Sequence, residues 1–142
     1  MDDEIVFLSV THVPLAHKTI FTELGIPLQA LASVVRLEGA LARVRQSHYY
    51  QGSSIYELAA MTAISISQAQ AFVDGNKRAA EGSLKTFLRF NGFRFTGNWM
   101  QVALFLEINA FLSEAPNRGD EPREKGLQAF ALWLESVVVP RE

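Results

Sequence analysis

Apolar residues recur at the three- and four-residue spacing of a helix face along most of this chain, broken by short polar or glycine-containing stretches. A first helix is predicted from near Thr11, with Pro14 tolerated in its first turn, to a stop at Gly25. Leu31, Val34, Val35, Leu41 and Val44 predict a second helix over about 30–46. Gly39 falls inside it at a cost of ~1 kcal/mol relative to Ala, a cost that close approach of another helix would justify. Ser54 caps a third helix over 55–69, in which Ile55, Leu58, Ala59, Thr62, Ile66 and Ala69 share a face. Residues 70–75 read as a loop and 76–90 as a fourth helix, closed by Asn91-Gly92. Residues 93–98 alternate briefly and then turn, as a short β-hairpin arm would. Residues 99–112 form a helix that is apolar most of the way round. Residues 114–124 are rich in Pro, Asn, Gly and charge and read as a loop; a last helix is expected over 124–138. Residues 5–8 are a brief strand or an apolar lead-in. The expected fold class is all-α.

The chain has 142 residues, the size of one domain, so residues 1–142 are read as a single unit with one core. Its apolar share of 49% is that of a globular protein. A net charge of −2 argues against a general nucleic-acid binder, so any cations that matter act locally. With no cysteine, thiolate metal sites, disulfides and cysteine nucleophiles are excluded. Met1-Asp2-Asp3-Glu4 lacks the basic and apolar regions of a signal peptide, and no apolar run is long enough to span a bilayer. A cytoplasmic protein without membrane contact is expected.

The chemistry concentrates in Gln70-Ala71-Phe72-Val73-Asp74-Gly75-Asn76-Lys77-Arg78. A glycine followed by a helix start leaves backbone N–H groups free, and with the helix dipole these make an anion site. Asn76 can cap the helix and offer an amide to a phosphate oxygen. Lys77 supplies a point charge and Arg78 a planar fork suited to phosphate. Asp74 is an oxygen ligand of the kind that holds Mg²⁺ beside phosphates. Phe72 is expected to anchor the loop in the core.

Phe72-Val73-Asp74-Gly75-Asn76-Lys77-Arg78 resembles the signature of the Fic/Doc superfamily, His-x-Phe-x-Asp/Glu-Gly-Asn-x-x-Arg in its Fic form, and its Asn-Lys-Arg ending resembles the shorter Doc (death-on-curing) branch. His17 with Leu24-Gly25, residues 36–43, residues 56–60 and residues 86–92 resemble flanking segments of Doc-like chains, so the similarity covers about residues 5–112. The resemblance implies a Fic/Doc-like helical bundle with the signature loop at a helix N-terminus. It implies transfer of part of a nucleotide to a protein hydroxyl: AMP in most Fic proteins, phosphate onto a translation elongation factor for Doc. Lys77 favours phosphate. Mg²⁺ with ATP or another nucleoside triphosphate would be the cofactor. Asp74 would hold the metal, Gly75, Asn76 and Lys77 would cradle phosphates, and Arg78 would clamp the far end of the triphosphate. A Ser/Thr-x-x-x-Glu-Gly/Asn inhibitory segment is approached only by Ser33 with Glu38-Gly39, one residue too long, so a separate antitoxin protein is the expected brake.

The departure is Gln70, at the position of the family's proton-accepting His. A Gln amide has no usable basicity, and loss of general-base catalysis costs ~10²–10⁴ in rate. Three explanations stand: a variant inactivated to tolerate toxicity, a natural non-catalytic relative, or substitution by His12, His17 or His48. The competing function classes are accordingly a phosphotransferase toxin, an adenylyltransferase, and a nucleotide- or partner-binding pseudo-enzyme.

Overall fold

The computed structural model describes residues 4–27, 30–114 and 120–141, and of Tyr50 and Gln51 the backbone only. Six helices carry the fold among these residues: α1 (His12–Leu24), α2 (Val34–Gln51), α3 (Ile55–Ala69), α4 (Asn76–Phe90), α5 (Trp99–Glu114) and α6 (Glu121–Val137). The all-α expectation holds, with one small two-stranded sheet beside the bundle.

α3 is the central element. It packs against α2, α4, α5 and α6, and Leu58, Ala59, Ala60, Thr62, Ala63, Ser65, Ile66 and Ser67 are all buried. Its small residues let four neighbours close in, which no single apolar face would allow. A capping box fixes its start: Ser54 Oγ accepts from the Glu57 N–H at 3.1 Å, and Glu57 Oε1 accepts from the Ser54 N–H at 3.0 Å. α4 runs beside it and also packs on α1. The close approach of α1 and α4 is made at Gly82, where a Cβ would lie 2.9 Å from the Ala16 carbonyl oxygen. Gly39, the expected close-approach glycine, has nothing within 4 Å of such a Cβ.

α2 begins later and ends later than the periodicity predicts. Ser33 is extended (φ −151°, ψ 107°) and its side chain accepts from the Arg36 N–H, so the helix starts at Val34. Leu31 forms a bridge with Phe72 instead of a helical turn. The buried face of α2 is Leu37, Ala40, Leu41 and Val44, while Val35 stands out at 78% exposure. α6 starts at Glu121 with a proline in its first turn, three residues before the expected position. Of the expected loop over 114–124, residues 115–119 lie outside the described residues, while Glu114 still belongs to α5 and residues 121–124 already belong to α6.

The alternating segment is β1 (Phe93–Phe95), and its antiparallel partner β2 (Val138–Pro140) lies far along the chain, with Phe93 opposite Pro140 and Phe95 opposite Val138. The pair ties the end of α6 to the end of α4. Residues 5–9 form no strand. Asn91 pins them instead, accepting from the Val6 N–H at 2.8 Å and donating to the Val6 carbonyl at 2.9 Å. Among the described residues no helix is long and apolar enough to cross a membrane.

Candidate functional site at the start of helix α4

The loop between α3 and α4 is held from two sides. On one side, the extended segment before α2 pairs with it: Ala32 and Ser33 donate their N–H groups to the Ala71 carbonyl at 2.7 and 3.0 Å, and Val73 donates to the Ala30 carbonyl at 3.0 Å. On the other, Asn76 folds back over the loop. Its Oδ1 accepts from the Phe72 N–H at 3.1 Å, while its Nδ2 donates to the Phe72 carbonyl at 3.1 Å and to Gln70 Oε1 at 3.3 Å. The amide expected to face a phosphate is thus committed to the loop itself, and its contribution is to shape the backbone.

Gln70 ends α3 in the left-handed region (φ 52°), the only non-glycine residue to do so among those described. Such a conformation costs on the order of 1 kcal/mol or more, and contacts must hold it. They do: Gln70 Nε2 donates to the Ser67 carbonyl at 3.0 Å, and Oε1 receives Asn76. The side chain of position 70 therefore lies at the loop mouth, beside Asn76.

Beneath the loop is a stack of rings. His17 is 1% exposed, parallel to Phe72 at 4.1 Å and stacked on Phe21 at 4.2 Å. Gly75 lies against this stack with φ 77°, and a Cβ there would meet Phe21 Cζ at 2.2 Å. No residue but glycine fits both the dihedral and the space. Burial pushes the His17 imidazole below its ordinary value of 6.5; the backbone and charge of nearby Asp74 act the other way without offsetting it. Its Nε2 has no partner in hydrogen-bonding geometry. Phe72, at 4% exposure, anchors the loop as expected.

The first turn of α4 has no side-chain cap. The N–H of Gly75 is taken by Asp74 Oδ1 at 2.7 Å. The first intrahelical bond is Ala79 N–H to the Gly75 carbonyl, so the N–H groups of Asn76, Lys77 and Arg78 have no partner among the described residues. A helix start of this kind leaves its first N–H groups available to an anion.

The cations beside it are already engaged. Lys77 is ion-paired with Glu107 on α5. Arg78 bonds Glu81 Oε1 at 3.1 Å and lies 3.8 Å from the centroid of the Trp99 ring. Glu81 is buried and also holds Lys85 at 3.3 Å. A phosphate entering here must displace Glu107 from Lys77 and share Arg78 with Glu81. Neither Glu107 nor Trp99 is signalled by the loop sequence; the fold alone brings α5 across the start of α4. Among the described residues no group of three or more His, Asp or Glu is placed to hold a metal ion. Asp74 is a single carboxylate, which suits a Mg²⁺ that arrives with phosphate oxygens and keeps its waters, and does not suit a free metal centre.

The three histidines are dispersed. His17 is sealed under the loop, His12 packs edge-on against Phe90 at 5.0 Å, and His48 contacts Phe7 at 5.8 Å. Neither His12 nor His48 makes a ring contact with the loop. Set against models of known protein families and against curated proteins, the chain matches none.

Proposed function

We propose that this chain carries a Doc-like nucleotide site at the start of α4, built to transfer phosphate from a nucleoside triphosphate to a hydroxyl of a protein, and that with Gln70 it binds the nucleotide without transferring. The observation that carries the reading is the uncapped first turn of α4, with three free N–H groups flanked by Asp74, Lys77 and Arg78. The free N–H groups and Lys77 would bind phosphate oxygens, Arg78 would orient the terminal phosphate, and Asp74 would face the Mg²⁺. The bound Mg-nucleotide supplies the phosphoryl group. For transfer, a hydroxyl oxygen must form a new bond to the γ-phosphorus as the bond from that phosphorus to the bridging oxygen breaks, the nucleoside diphosphate leaves and the hydroxyl gives up its proton. Position 70, at the loop mouth beside Asn76, is where the acceptor for that proton would stand. The Gln70 amide cannot take it. Buried His17 offers no route to solvent, and the ring contacts of His12 and His48 lie elsewhere, which supports binding without turnover as the state of this chain.

The target reading is a protein of the translation machinery, with a separate antitoxin protein as brake, as the resemblance implies. The test is Gln70→His compared with the parent chain in a lysate given γ- or α-labelled ATP. Label from the γ position on a protein in the His variant alone supports phosphoryl transfer; label from the α position replaces it with adenylyl transfer. No label from any nucleotide in the His variant removes the enzyme reading and leaves a binding module.

A further inference from the structure

Helix α5 carries an apolar stripe that the described residues leave largely exposed. Met100 is 75% exposed, Leu104 59%, Ile108 42% and Phe111 68%. At 3.6 residues per turn these four positions fall within about 80° of arc, opposite the buried Val102, Leu106 and Asn109. With roughly 200 Å² for each large side chain, they leave about 500 Å² of apolar surface in one strip, near the top of the range for the largest patch on a monomer.

We propose that this stripe is the interface of a homodimer, in which α5 packs antiparallel on α5 of a second copy of this chain. The spacing of the stripe is self-complementary. Centred between Leu104 and Ile108, an antiparallel pair sets Leu104 against the copy's Ile108 and Met100 against the copy's Phe111, so every exposed apolar side chain meets another. The only charged residues of α5 are Glu107 and Glu114. Glu107 borders the stripe, and the two-fold axis brings both copies of it to the same edge. Its pairing with Lys77 removes the repulsion that two bare carboxylates would introduce there. A helix with so little charge offers nothing to a charged partner, whereas it matches itself. Two copies bury about 1,000 Å² in the stripe alone, the floor for specific association. At this size the dimer belongs among weak, reversible associations.

Sedimentation equilibrium of the full chain from 1 to 500 µM tests this. The expected result is a mass that rises from 15.8 kDa toward twice that value. Leu104→Glu and Ile108→Lys, each shown folded by circular dichroism, should each weaken association at least tenfold. Mixed in equal amounts they should associate again, because the antiparallel register sets Glu against Lys. A parent chain that stays monomeric to 500 µM, association untouched by Leu104→Glu, or variants that do not rescue one another would each overturn the proposal.

Discussion

Replacing Gly75 with Ala asks whether the ring stack beneath the loop is the support of the site. The cost has two parts. Gly75 sits at φ 77°, where an L side chain costs ~1–2 kcal/mol. The new methyl would also lie 2.2 Å from Phe21 Cζ and 2.8 Å from Cε1. Phe21 cannot swing away cheaply: it is 4% exposed and stacked on His17, which is itself stacked on Phe72. Overpacking of this kind costs ~1–3 kcal/mol. The sum, about 3 kcal/mol, corresponds to a fall in Tm of roughly 10 °C for a chain of this size. Urea unfolding followed by circular dichroism measures it directly. In the Phe21→Leu background the steric share should disappear and the dihedral share remain, so the two substitutions should couple by more than 1 kcal/mol in a double-mutant cycle. A Gly75→Ala chain within 1 kcal/mol of the parent would refute the reasoning, because the loop would then not rest on Phe21.

Two further outcomes follow from the same geometry. The folded state holds His17 below 6.5, so on acidification the unfolded chain takes up a proton first; stability is full above about pH 6.5 and falls as the pH drops below it. His17→Phe, which keeps a stacking ring, should flatten that slope between pH 7 and 5 in urea titrations, and an unchanged slope would assign it to other groups. Glu107→Gln releases Lys77 from an exposed ion pair, so it should alter stability by less than about 0.5 kcal/mol while Mg-ATP affinity by calorimetry rises a few-fold; an unchanged affinity would remove Lys77 from the phosphate cradle.

Much of the helical order was legible in the sequence because it rests on local chemistry. Ser54 with Glu57 makes a capping box, and 76–90 shows its start and stop in Gly75 and Asn91-Gly92. What the sequence hid was decided by contacts between distant residues. Leu31, Val34 and Val35 keep helical spacing, yet Leu31 is drawn into pairing with the sequence-distant Phe72, and the helix starts only after Ser33. β1 was visible as a strand, but its partner is the far end of the chain. Gly39 and Gly82 look alike in sequence, and only the crossing of α1 over α4 selects Gly82.

The same division runs through the site. The grouping of Asp74, Gly75, Lys77 and Arg78 at a helix start was readable because these residues are neighbours in sequence. The commitment of Asn76 to Phe72 and Gln70 was not readable, since an amide at a helix start suits a cap, a ligand or a brace equally well. Glu107 and Trp99 were hidden because α5 reaches Lys77 and Arg78 only in the fold. Their effect is to give Lys77 and Arg78 resting partners, so under the proposed function phosphate binding would exchange carboxylates for phosphates.

Thermal unfolding with and without Mg-ATP tests the phosphate site most directly. A ligand held at about 100 times its dissociation constant stabilises the folded chain by ~2.7 kcal/mol. The parent should therefore melt several degrees higher with Mg-ATP and no higher with Mg²⁺ or adenosine alone. Arg78→Ala, compared with its own ligand-free baseline, should lose the rise. A parent chain whose Tm does not move at millimolar Mg-ATP would contradict the account, whatever the identity of residue 70.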